Sequence, residues 1–178
     1  RRLTLVDSEV QLTRAQVIHG KKTTVQDYVA THMGNCETQT ISEFLSAGAR
    51  FDFVLCANVL SAIPQTRARS CLLRGIRRAL RPTGRCLFVT QYRNSYFKAI
   101  AGSDGAVPHL DGWLLKTAKG AFYYGLLPPD KLVALVARHG FTVVTSWTTD
   151  QMALVLAGCK SPERSREGRV RKPAIRAP

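Results

Sequence analysis

The chain has 178 residues, 45% of them hydrophobic, long enough for one domain with a real core. Its formal net charge of +14 comes from 26 Lys and Arg against 12 Asp and Glu. No apolar stretch approaches the about 20 residues of a membrane span and none has the shape of a signal peptide, so no membrane partner is expected.

The charge is unevenly spread. Residues 160–178 hold Lys160, Arg164, Arg166, Arg169, Arg171, Lys172 and Arg176 against Glu163 and Glu167. That composition cannot bury a core, so a basic disordered tail is expected behind a folded unit over residues 1–159. The other basic residues read mainly as a solvated face. Nucleic acid is a second partner, reached through that surface and the tail. The cysteines (Cys36, Cys56, Cys71, Cys86, Cys159) show neither CxxC nor Cys/His ligand spacing. No metal site is read from them, and a scattered odd set suits a reducing, cytoplasmic setting.

The chain opens with "LTLVD", a short apolar strand ending in Asp7, followed by Ser8. Residues 9–18 read as a helix stopped by His19-Gly20. A strand is expected within residues 24–38, and residues 41–45 suit a short helix. "FDFVLCANVL", residues 51–60, is a near-continuous apolar run of the kind that forms a strand buried on both faces. Residues 66–80 follow as an amphipathic helix, with Leu72, Leu73, Ile76, Ala79 and Leu80 inward and Arg67, Arg74, Arg77, Arg78 and Arg81 mostly outward. "RPTG" breaks it, since Pro82 cannot continue a helix and Gly84 permits the turn. "RCLFVTQY" is the next strand, completing a right-handed βαβ unit.

Residues 92–125 lack a clear period yet contain Tyr92, Tyr96, Phe97, Trp113, Phe122, Tyr123 and Tyr124. An insert this rich in aromatics is expected to be ordered, its aromatics either forming a second small core or walling a substrate, with Tyr92, Trp113 and Tyr124 as the contacts. His109 and Asp111, beside Gly112, are the candidates for a general base, or else turn formers. Residues 128–139 return to helix. "FTVVTSW" and "MALVLAG" are joined too briefly to be anything but antiparallel neighbours.

Parallel βα repeats closed by such a hairpin resemble the class I S-adenosylmethionine-dependent methyltransferases, over residues 3–158. The implied fold is α/β, with a Rossmann-like, mostly parallel sheet, helices on both faces and a C-terminal antiparallel β-hairpin. "LTLVDSEVQL" looks like that family's second strand, which assigns Asp7, with Ser8 beside it, to the ribose of S-adenosylmethionine. "FDFVLCANVLSAIP" resembles the fourth-strand motif and assigns Asn58, Val59 and Leu60 to the same cofactor. "IRRALRPTGRCLFV" resembles the helix-to-fifth-strand motif, with Thr83-Gly84 in place of a Gly pair. For the adenine acid after the third strand, Glu37 is chosen over Asp27.

The family's first strand and glycine loop find no counterpart in these residues. An amino-terminally shortened site is therefore expected, with weak cofactor binding. The strands at Leu3 and Phe51 should then pair directly, borrow a strand, or stand apart. The implied reaction is methyl transfer to an acceptor that is most simply a small molecule. It asks mainly for alignment, and for a base only where the acceptor must lose a proton. An NAD(P)-dependent oxidoreductase would share the Asp-ending strand but end in another parallel strand. A basic nucleic-acid-binding module would set Arg and Lys beside stacking aromatics.

Overall fold

The computed structural model describes residues 2–93, 95–117 and 120–159. The tail expected over residues 160–178 lies outside them. No helix among the described residues is long and apolar enough to cross a membrane.

Strand β1 (Leu3–Asp7) pairs in parallel with β4 (Cys36–Thr40), Leu3 opposite Cys36 and Asp7 opposite Thr40. Between them lie α1 (Glu9–Thr13), the strands β2 (Gln16–Ile18) and β3 (Lys21–Thr23), and α2 (Val25–His32). The helix expected over residues 9–18 therefore stops at Thr13. His19 and Gly20 both have positive φ, 48° and 78°, the geometry of a two-residue hairpin turn. That turn folds Gln16–Ile18 back on Lys21–Thr23. Residues 24–38 hold a helix before their strand, because Thr24 caps it by accepting the Asp27 N–H at 3.0 Å.

After α3 (Ile41–Ser46) the chain enters a second sheet. Its order is β10 (Phe141–Thr149), β11 (Met152–Cys159), β6 (Leu80–Gln91), β5 (Phe51–Ala57). Strands β5 and β6 are parallel; β11 runs antiparallel to both β6 and β10. Strand β6 begins directly after α4 (Thr66–Ala79) and passes through Pro82, so "RPTG" bends the strand rather than separating it. Gly84 is required there. A Cβ would come within 2.9 Å of the Phe51 carbonyl oxygen.

One face of this sheet carries the core. Cys56, Cys86, Phe88, Ala153, Val155 and Ala157 pack under Leu72, Leu73 and Ile76 of α4 and under Leu132 and Val136 of α6 (Pro129–Arg138). Phe88 meets Phe141 edge-on at 5.2 Å. The opposite face places Leu55, Leu87 and Leu156 in one cross-strand row and Ala57, Val89, Leu154 and Trp147 in the next. Leu55 is 59% exposed and Phe53 53%. The expectation that residues 51–60 are buried on both faces is corrected: Cys56 is buried on the core side of β5, while Phe53 and Leu55 on its other face are exposed. Nor does β5 pair with β1. The two sheets share no ladder, β1 and β5 are edge strands of their own sheets, and Val6 of β1 packs against the core of the larger one.

The described residues of the insert form regular elements. Residues Ser95–Ala101 form α5, and β7 (Ala106–His109), β8 (Gly112–Thr117) and β9 (Gly120–Gly125) form an antiparallel meander.

Candidate functional site

In α/β folds ligands gather beyond the carboxyl ends of the parallel strands, where the strand order reverses. Asp7 ends β1. Its Oδ1 accepts the Ser8 N–H at 2.7 Å, while Ser8 is the cap of α1 and accepts the Gln11 N–H at 3.3 Å. The capping role thus falls to Ser8, and the exposed Asp7 carboxylate faces solvent.

Asn58 follows the end of β5 and holds φ at 58°, the left-handed region that costs a non-glycine residue about 1 kcal/mol or more. Its N–H continues the ladder to Val89 O at 2.8 Å, and its carbonyl accepts from Ser61 Oγ at 3.3 Å. The exposed side chain projects where the strand stops. Val59 is half-buried against the core, and Leu60, in the 3-10 turn Leu60–Ala62, is fully buried within it. Of these three residues, Asn58 alone presents an exposed side chain.

Glu37 lies elsewhere. It stands opposite Thr4 near the start of β4, accepts from Thr4 Oγ1 at 3.1 Å, and is about 10 Å along the strand from the level of Asp7. Asp27 is bound in the first turn of α2, accepting from Thr24 Oγ1 at 2.7 Å. The group level with Asp7 is Thr40, which sequence reasoning missed. Thr40 caps α3 in a reciprocal box with Glu43. The backbone N–H of Thr40, donated to Glu43 at 2.7 Å, holds that carboxyl below its usual range. Thr-x-x-Glu is the sequence signal for such a cap.

Alternation along the meander separates the other predicted residues. Trp113 stands opposite Tyr124, on the face that also carries Phe122. There Tyr124 meets Phe97 of α5 edge-on at 4.9 Å. His109 and Tyr123 occupy the other face and meet edge-on at 5.8 Å. The expected base candidates and the expected aromatic wall are therefore on different sides. Tyr92 is half-buried against the sheet core, its N–H bonded to Gln151 O at 3.0 Å.

Around Tyr123 sits a polar cluster with a residue the sequence reading passed over. Arg69 in α4 is buried, 7% exposed at its side chain, and its Nη1 lies 2.7 Å from Asp111 Oδ1. Its Nε donates to Ile63 O at 2.7 Å and its Nη2 to Tyr123 Oη at 3.1 Å. Tyr123 Oη donates to Asp111 Oδ1 at 2.9 Å. Burial, then the bond to Asp111 and its charge, raise the Tyr123 pKa, so the phenol stays protonated at neutral pH. His109 Nε2 is 2.7 Å from Pro64 O, which sets the proton on that nitrogen. A signal for Arg69 existed: it shares the inward stripe of Leu72, Leu73 and Ile76 at helical spacing.

Among solved structures the fold is shared with the PH0226 protein from Pyrococcus horikoshii OT3, at a TM-score of 0.62, 11% identity, 90% of this chain and 83% of that one. It is shared as well with a Burkholderia thailandensis 1,6-didemethyltoxoflavin-N1-methyltransferase with bound 1,6-didemethyltoxoflavin and S-adenosylhomocysteine. There the TM-score is 0.55 and identity 17%, over 88% of this chain and 71% of that one. A Methanosarcina mazei S-adenosylmethionine-dependent methyltransferase matches at a TM-score of 0.56 and 12% identity, over 89% and 92%. The fold is the one these class I methyltransferases share. No protein-family model matches the chain. It is 35% identical over 156 residues to the uncharacterized protein YmfD of Escherichia coli (strain K12), covering 88% of this chain and 69% of that one. The chain belongs to the YmfD family.

Proposed function

We propose that the protein is an S-adenosylmethionine-dependent methyltransferase acting in the cytoplasm on a small-molecule acceptor. The observation that carries the reading is the four-stranded sheet, in which the last strand, β11, runs backwards between β10 and β6 beside a parallel β5. The neighbour with bound 1,6-didemethyltoxoflavin and S-adenosylhomocysteine supports the choice of cofactor and acceptor class. A terminal parallel strand, which a nicotinamide-dependent oxidoreductase would need, is replaced by an antiparallel one.

In this reading the exposed Asp7 carboxylate accepts the ribose hydroxyls, with the Ser8 cap orienting it. Asn58 and Val59 flank the cofactor where β5 ends, and Leu60 supports them from the core. Glu37 contributes through the Thr4 side of β4 and is the weakest member by position. S-adenosylmethionine, when bound, supplies a methyl group already activated by its sulfonium. The residues named here bind and align it. Tyr92, Trp113 and Tyr124 wall the acceptor. His109 and Asp111, on the other face of the meander from Trp113 and Tyr124, hold the insert in place; either serves as the base only for an acceptor whose reacting group reaches that face.

We propose further that a strand from outside residues 1–178 pairs with the edges of β1 and β5; the absence of a ladder between these edge strands and the exposed Leu3, Leu5, Phe53 and Leu55 support this. Calorimetric titration of S-adenosylhomocysteine into this chain, and into a version extended upstream of Arg1, tests both ideas. The expected result is weak or no binding by the first and saturable binding by the second. No binding by either overturns the methyltransferase reading; tight binding by residues 1–178 alone overturns the added strand.

A further inference from the structure

We propose that Arg69 is the positioning residue that locks the β7–β9 meander onto the loop after β5, and so couples the acceptor wall to the cofactor half-site at Asn58. The coupling rests on the functional reading above; the locking rests on geometry alone. Three separate segments converge on one guanidinium: Ile63 O from the loop, Asp111 Oδ1 from the β7–β8 turn, and Tyr123 Oη from β9. The loop reaches back within three residues to the 3-10 turn Leu60–Ala62, and that turn packs on β9. At Gly125 the approach is so close that a Cβ would lie 2.7 Å from Ser61 O. The Arg69 side chain is 7% exposed and that of Asp111 10%, so water does little to screen the pair.

The cluster has no spare partner. Asp111 accepts both of its bonds through Oδ1, and Oδ2 is buried with no hydrogen-bond partner among the described residues. Removing Arg69 therefore leaves a buried carboxylate with the Tyr123 hydroxyl as its one donor among the described residues, and the turn must move to reach water. A lysine keeps the charge but not the planar fork that reaches three acceptors at once. The apolar groups on this meander face are Tyr123, which meets His109 edge-on, with Leu114 and the exposed Val107 in the same cross-strand row. The meander thus depends on Arg69 in a way that the four-stranded sheet, with its own apolar core, does not.

The test is amide hydrogen exchange on the intact chain, without cofactor or acceptor, for Arg69→Met, Arg69→Lys and Tyr123→Phe. Arg69→Met should speed exchange of the β7–β9 amides about tenfold or more while the β6 and β11 amides keep their rates. Arg69→Lys should fall between it and the wild type. Tyr123→Phe, which keeps the ion pair, should give a smaller rise confined to the same strands, and it stands as the test should Arg69→Met fail to fold. Unchanged meander rates, or an equal rise across β6 and β11, overturn the proposal. In a form that binds S-adenosylhomocysteine, the ligand should slow meander exchange in the wild type and not in Arg69→Met. Equal slowing in both overturns the coupling while leaving the methyltransferase reading intact.

Discussion

The four-stranded sheet and the region of residues 2–50 are held by different means. The four-stranded sheet fully buries its Phe88 and Val155 against Leu73 of α4 and Leu132 and Val136 of α6, themselves fully buried. Through residues 2–50 the buried apolar side chains are Leu12, Val29 and Phe44, and Phe44 belongs to the larger core. What orders that first region is local: Ser8, Thr24 and Thr40 each cap a helix by accepting a backbone N–H. The proposed cofactor site draws Asp7 from the lightly packed region and Asn58 from the heavily packed one. Stability and ligand contact are thus divided between parts of the molecule that respond differently to substitution.

The largest expected effect falls on the packed sheet. Phe88→Ala removes a fully buried ring from between α4, α6 and Phe141 and should cost about 3–5 kcal/mol. Guanidinium unfolding followed by circular dichroism measures it. A loss below about 1 kcal/mol would mean that the core is not where the stability lies.

Next comes the ligand contact of the loose region. In a form that binds S-adenosylhomocysteine, Asp7→Ala should weaken binding about ten- to a hundredfold, because charge-assisted hydrogen bonds are worth roughly 1.5–3 kcal/mol. The melting temperature should barely move, since Asp7 is exposed. Calorimetry showing an unchanged dissociation constant removes Asp7 from the site.

Alkaline pH sharpens the contrast again. Burial raises the Cys56 thiol from 9.0 to about 12 and pushes Cys86 up as well. The folded state therefore favours the protonated thiols more than the unfolded state does. Their stabilisation is complete below pH 9 and is lost as pH rises toward 12. Each thiol contributes a slope of about 1.4 kcal/mol per pH unit in that window. Cys56→Ala should flatten the decline measured between pH 9.5 and 10.5. An unchanged slope would place the thiol in contact with water.

What could be read from the sequence followed the same division. Residues 51–91 carry long-range signals strong enough to read directly: an apolar run, then a helix with Leu72, Leu73 and Ile76 on one stripe. The first region turns on short-range chemistry that periodicity does not detect. His19-Gly20 makes a hairpin out of an expected helix end, and Thr24 starts a helix inside an expected strand. The meander hid because both of its faces are used, Tyr123 toward Arg69 and Tyr124 toward Phe97, so no alternation survives in the residue pattern. Asp7 and Asn58 stood out because strand ends are marked by the loss of apolar residues. Thr40 did not, since its strand, "CETQT", is polar throughout.

The smallest expected effect tests whether local caps hold the first region. Thr40→Ala removes the side chain that accepts the Glu43 N–H at 3.2 Å, a loss of about 1 kcal/mol for a helix cap. Because α3 feeds Phe44 into the shared core, the loss should appear in global unfolding and not as fraying alone. The reciprocal half of the box is pH-dependent. The carboxyl of Glu43 is held below its usual 4.5 by the Thr40 backbone N–H, so the folded state favours the charged form. That contribution is complete above the unfolded value and is lost as pH falls through the folded one. Glu43→Gln should therefore be less stable than the wild type at pH 6, and the gap should close as the buffer is taken to pH 3. A gap that stays constant across that range would assign the cap to Thr40 alone, with Glu43 acting only through its shape.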